Sequence, residues 1–98
     1  LGAVLVGEPT SDGLVFRGRV GSGIGGRAGA ELTVLLGSLS IETSPFHRSL
    51  SRSDSDGTRW VRPQIVVDVE SLGFSAHGRL RQPSFRGVRA DLTPGDLA

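Results

Sequence analysis

Short apolar runs broken by polar turns dominate the chain, and only one stretch carries helical spacing. Residues 1–7 (LGAVLVG) are apolar and aliphatic, which predicts a buried strand. Residues 8–13 (EPTSDG) supply the Pro, Asp and Gly of a turn. Residues 14–21 then alternate, with Leu14 and Phe16 on one face and Arg17 and Arg19 on the other, so the two segments predict a hairpin with one wet, basic face. A helix is expected over about 27–38, where Ala28, Leu32, Leu35, Leu36 and Leu39 form an apolar stripe and Gly37 closes the regular part. Residues 40–58 read as loop, and the serine-rich run 49–57 (SLSRSDSDG) as a mobile insertion. Strand character resumes at 59–63. It is clearest at 64–70, where Ile65, Val67 and Val69 share one face while Gln64, Asp68 and Glu70, with Val66 among them, point away. Around Leu80, flanking Arg79 and Arg81 alternate as on a strand edge, and Pro83 breaks the ladder because it has no N–H to donate. Residues 92–98 (LTPGDLA) form a tail with little intrinsic order.

About five short antiparallel strands with one inserted helix predict a mainly β fold, a five-stranded Greek-key barrel of the OB type. An α+β sandwich is the alternative, but it needs a second helix that the pattern does not offer. At 98 residues the chain is one domain with a core of modest size. It has no cysteine, hence no disulfide framework or thiolate metal site, and no apolar run long enough to span a membrane. A cytoplasmic location is expected. The chain has no methionine and opens directly in an apolar run, so it is expected to be a domain excised from a longer protein. All eleven basic residues are arginine, so no lysine nucleophile exists within it. The net charge is only +1, and any attraction to nucleic acid must come from uneven distribution.

That unevenness is greatest at 78–91 (GRLRQPSFRGVRAD), which holds Arg79, Arg81, Arg86 and Arg89 and no acid until Asp91. Guanidinium groups stay charged and present a planar fork of donors to phosphate oxygens. The tract is therefore a candidate phosphate site, against the plainer reading of ordinary surface arginines. Residues 21–26 (GSGIGG) match G-x-G-x-x-G, with Glu42 at the offset of a ribose-binding acid. A dinucleotide site needs a parallel β-α-β crossover, however, and the later segments predict antiparallel strands, so these glycines read better as a bend into the helix. His47 and His77 lie in loops without partners at ligand spacing, and no metal site is expected.

Four pieces in order, 16–23 (FRGRVGSG), 44–46 (SPF), 60–69 (WVRPQIVVDV) and 78–91, resemble the C-terminal OB-fold domain of ATP-dependent DNA ligases of the bacterial end-joining type. The last contains R-x-P-x-F-x-G-x-R-x-D, similar to the final signature motif of covalent nucleotidyltransferases. The resemblance implies that the attacking lysine sits in a separate nucleotidyltransferase domain. It also implies ATP and Mg²⁺ as cofactors of the full-length enzyme, none being expected on this fragment. Arg89 and Asp91 would orient the β- and γ-phosphates. After adenylation the domain would turn another face to nicked or broken duplex DNA, at the bacterial nucleoid. For that face the residues themselves nominate Arg17 and Arg19, with Arg79, Arg81 and Arg86 as further phosphate ligands. The motif usually ends in a basic residue, where this chain has Leu92. The rival from a different class is a free-standing single-strand-binding OB module, in which exposed aromatics stack on bases. A protein-interaction domain without nucleotide chemistry is the third reading.

Overall fold

A computed structural model describes all residues 1–98. Six strands are present: β1 (Val4–Thr10), β2 (Gly13–Val20), β3 (Ser40–Ile41), β4 (Trp60–Val61), β5 (Val67–Glu70) and β6 (Ser84–Val88). They form three two-stranded antiparallel sheets, β1–β2, β3–β4 and β5–β6, in place of one closed ladder. The helices are α1 (Gly26–Gly37) and α2 (Arg52–Ser55), with a 3-10 turn at Pro94–Asp96.

Strand β2 is the spine. Besides pairing with β1, it bridges Phe46 through Leu14, and the Arg17 carbonyl accepts from Leu80 N at 2.8 Å. Just past its end, Ser22 bridges Ser84, so β2 runs on into β6. One side of this spine is the core: Val20, Ile24, Leu32 and Phe85 are buried together, with Val4, Val6, Ala28, Leu36, Ile65, Val67, Val69 and Val88 against them. Helix α1 covers this cluster with Ala28, Leu32 and Leu36, which are four residues apart on one face. Leu35, expected in the stripe, is instead exposed, because its position is rotated off that face. Leu39 is buried, but from beyond the helix end.

Two sheets repeat one local device. In β1–β2 the register is Val6↔Gly18 and then Gly7↔Phe16, leaving Arg17 as the extra residue of a β-bulge. In β5–β6 it is Asp68↔Gly87 and then Val69↔Phe85, leaving Arg86 extra. Both bulges carry the tripeptide Phe-Arg-Gly, with the Phe buried and the Gly at positive φ, 137° for Gly18 and 152° for Gly87. Each bulged Arg pairs with a Glu of the facing strand, Arg17 with Glu8 at 2.9 Å and Arg86 with Glu70 at 3.2 Å. The bulge lets Phe stay inward while Arg reaches diagonally across the ladder.

Several expectations are corrected. Strand β1 begins later and runs through Glu8, Pro9 and Thr10, leaving only Ser11 and Asp12 as the turn, because Thr10 Oγ1 donates to the Gly13 carbonyl at 2.8 Å and closes it. Residues 49–57 are ordered around α2: Ser51 caps it by accepting from Asp54 N, and the Asp54 carbonyl accepts from Arg19 Nη2 at 3.3 Å. Regular strand begins only at Val67, since Pro63 interrupts what precedes it, and Val66, expected outward, is buried before the pleat is established. The segment around Leu80 makes one isolated bridge, to Phe74. The tail holds a 3-10 turn fixed by a reciprocal Thr93–Asp96 capping box. The glycines at 21–26 serve close approach, not a nucleotide: a Cβ on Gly23 would collide with the Phe85 carbonyl, where Phe85 N donates to the Ser22 carbonyl at 2.8 Å. The three ladders are antiparallel, and the parallel contacts of Leu14 with Phe46 and of Ser22 with Ser84 are isolated bridges, so no parallel strand follows α1 for Glu42 to serve.

Candidate phosphate and nucleic-acid site

The six nominated arginines divide by what holds them. Arg17 donates from Nε to Glu8 Oε1 at 2.9 Å and from Nη1 to the Gly78 carbonyl at 3.1 Å, and its guanidinium lies 5.2 Å from the Phe74 ring centre. Arg79 donates to the Phe16 carbonyl at 3.2 Å, stacks 4.5 Å from the Phe16 ring centre and faces Asp54 at 3.8 Å. The sequence nominates these two as phosphate ligands; in the fold each also acts as a clamp, Arg17 with a side chain 26% exposed and Arg79 with one 43% exposed. Each has its donors directed at carbonyls and its face at an aromatic ring, joining β2 to the turn at 75–80 and to α2. Arg79 is half-buried and Arg81 is exposed.

Arg19, Arg81 and Arg86 are exposed. Arg19 donates to a backbone carbonyl and has no carboxylate partner, Arg81 is in no ion pair, and Arg86 has only the exposed Glu70. Arg19 and Arg81 therefore keep uncompensated charge toward solvent, and Arg86 can exchange one weak surface pair for another anion.

Arg89 follows directly on β6, and its N–H donates to the Val66 carbonyl at 2.8 Å, so the backbone there is held against the residue before β5. Its side chain is 40% exposed. Nε and Nη2 donate to the two carboxylate oxygens of Asp91 at 2.9 and 2.8 Å, a bidentate fork, and Nη1 reaches Asp68 Oδ1 at 3.4 Å. The fork with Asp91, and secondarily Asp68, raises the guanidinium pKa further above its already high value. Reciprocally, the hydrogen bonds from Arg89 pull Asp91 from 3.8 to about 2. Two N–H groups of Arg89, one on each terminal nitrogen, remain for another acceptor.

On this face three carboxylates, Asp68, Glu70 and Asp91, meet two guanidiniums, Arg86 and Arg89, one negative charge in excess. That excess opposes any approaching anion, which meets the free N–H groups of Arg89 against a net negative face. Sequence reasoning misses Asp68 and Glu70 as site residues. The twice-occurring Phe-Arg-Gly is the available signal, since a repeated bulge places each arginine diagonally from an acid. Leu92 is half-buried in a turn where its N–H donates to the Arg89 carbonyl at 3.3 Å. His47 and His77 are exposed. No group of three or more His, Asp or Glu side chains is placed to hold a metal ion, and no helix is long and apolar enough to cross a membrane.

Comparison with known proteins is consistent along the whole chain. Residues 1–92 match the family described as the ATP dependent DNA ligase C terminal region. The multifunctional non-homologous end joining protein LigD of Mycolicibacterium smegmatis is 40% identical over 97 residues, which is 99% of this chain and 13% of that protein. The LigD of Pseudomonas aeruginosa is 30% identical over 94 residues, 93% of this chain and 11% of the relative. The chain thus spans a small part of the relatives it matches. The ligase domain of Mycobacterium tuberculosis LigD superposes with a TM-score of 0.94 at 39% identity, covering 99% of this chain and 32% of that one. A mycobacterial DNA ligase D complexed with ATP and MES superposes at 0.90, with the same identity and coverage.

Proposed function

Because the chain belongs to the family of ATP-dependent DNA ligase C-terminal regions, we propose that it is the OB-fold lid of such an enzyme, acting in DNA end joining and repair in a bacterial cytoplasm. In this reading its underlying plan is the Greek-key barrel, with β2 as the shared spine. The Ser22–Ser84 bridge and the Leu80–Arg17 hydrogen bond are the links that favour it. A preceding nucleotidyltransferase domain supplies the lysine that attacks the α-phosphate of ATP. This chain supplies fixed donors for the departing pyrophosphate.

The observation that carries the reading is the Arg89–Asp91 fork at the exposed end of β6. Asp91 holds the guanidinium plane and keeps one edge of it occupied. The remaining N–H groups then point where a triphosphate can be met, which is positioning and electrostatics and not covalent chemistry. The donor set fits phosphate oxygens; the local excess of carboxylate implies that Asp68 yields its long contact when an anion arrives. Magnesium, expected with the nucleotide, finds no ligand cluster in this chain, and none of these residues is assigned to it. Arg19, Arg81 and Arg86 are the proposed contacts to the DNA backbone once the lid has turned.

The test separates the two chemical steps in the full-length protein. Arg89→Ala is expected to slow lysine adenylation on the order of a hundredfold, the scale of losing one preorganised donor to developing charge. Sealing of pre-adenylated nicked DNA should change far less. Equal loss in both steps would remove Arg89 from the proposed role.

A further inference from the structure

Between β5 and β6 the chain forms a short arm. Leu72 N donates to the Arg81 carbonyl at 2.9 Å, Arg81 N to the Gly73 carbonyl at 2.8 Å and Ser75 N to the Arg79 carbonyl at 2.7 Å, with the Phe74–Leu80 bridge between. Large apolar side chains stand outside on this arm, Leu72 at 62% and Phe74 at 56% exposure, whereas Phe16 and Phe85 are buried. From Ser71 to Ala90 there is no acid, while Arg81 is exposed and without an ion-pair partner. Phe74 is also fixed. The Arg17 guanidinium lies against the ring and is itself tied to Glu8 and to the Gly78 carbonyl, and a Cβ at Gly78 would press on Arg17 Nη1 at 2.9 Å. The ring thus has a cation against it while the residue stays 56% exposed.

We propose that Phe74 is a stacking platform for an unpaired nucleobase at a DNA break, with Arg81 taking the neighbouring backbone phosphate. This rests on the DNA-joining reading above and adds the substrate feature that the arm recognises. A preoriented ring loses little side-chain freedom on binding, and every base has a π-face to offer it. Within intact duplex the faces are covered by neighbouring pairs, so an overhang or a frayed end is where such a platform finds a partner. The arm itself carries no acid and its Arg81 is unpaired, which favours a polyanion over an apolar partner.

The experiment measures binding of the full-length protein to a duplex carrying a single-stranded overhang with 2-aminopurine, and to a nicked duplex in which every base is paired. Wild-type protein should change the 2-aminopurine fluorescence on binding. Phe74→Ala should abolish that change and weaken overhang binding roughly tenfold, the scale of one lost base–aromatic stack, while nicked-duplex binding stays unchanged. Phe74→Trp should restore overhang binding and Phe74→Leu should not. The proposal is overturned if Phe74→Ala binds the overhang like wild type, if Leu serves as well as Trp, or if both substrates lose equally. Wild-type binding to neither DNA would sink the joining reading itself, a result distinct from these.

Discussion

Arg17 and Arg89 show how much a guanidinium's neighbours decide. Both sit in carboxylate pairs, yet Arg17 has a ring and a carbonyl at its remaining surfaces, whereas Arg89 keeps an exposed edge. The Arg89–Asp91 pair also has a pH signature. Asp91 is lowered to about 2 in the folded protein from an ordinary 3.8, so its folded form prefers the charged carboxylate. Its contribution to stability is therefore fully present above about pH 4 and lost as pH falls through 2. The pair is exposed, so the effect is modest and screened by salt. Acid unfolding followed by circular dichroism between pH 4 and 2 should be less steep in Asp91→Asn than in the unsubstituted chain; identical slopes would mean that the fork does not persist in solution.

Among the elements, the paired bulges make the least obvious demand on sequence. A methyl group placed on Gly18 would meet no atom closer than 3.8 Å, the nearest being Leu80 N, so space is not the constraint. Its φ of 137° is, since side chains disfavour that region. Gly18→Ala should then destabilise by about 1–3 kcal/mol, the usual cost of a sparsely populated backbone conformation. Urea unfolding of the variant measures it, and an unchanged midpoint would show that the bulge relaxes at no cost. A different logic holds where strand passes into helix: around Gly23 and Gly29 it is backbone crowding, by Phe85 and Ile24, that excludes a side chain.

For the molecule as a whole, net charge says little, and the distribution of paired and unpaired arginines says more. With a formal charge of +1, the proposed affinity for DNA would rest on the exposed guanidiniums of Arg19, Arg27, Arg48, Arg52, Arg59, Arg62, Arg81 and Arg86, of which only Arg86 is in an ion pair. Arg81→Gln should reduce the slope of log affinity against log salt by about 0.7–0.9, one phosphate contact, at little cost to stability. Arg17→Gln should do the reverse, lowering the unfolding midpoint while leaving the salt slope alone. A salt titration of DNA binding paired with a melting curve distinguishes them, and matching behaviour of the two variants would contradict the division into clamp and ligand.

The chain's own pattern was sufficient for the mainly β class, for α1 to within a residue or two and for the β1–β2 hairpin, because alternation and helical spacing are local properties of burial. The ordered pieces ending in R-x-P-x-F-x-G-x-R-x-D were likewise enough to place it in its family. Folding in three dimensions decided which arginines remain available. Arg17 and Arg79 lie as near to other cations in sequence as Arg81 does, but they meet Phe74, Phe16, Glu8 and Asp54 across the fold. The same holds in part for residues 49–57, where a local Ser51 cap forms α2 and Arg19 and Arg79 tie it to the rest of the fold through Asp54. A contact between distant segments leaves no periodic trace in the sequence, so its consequences for charge and exposure emerge only when the strands are brought together.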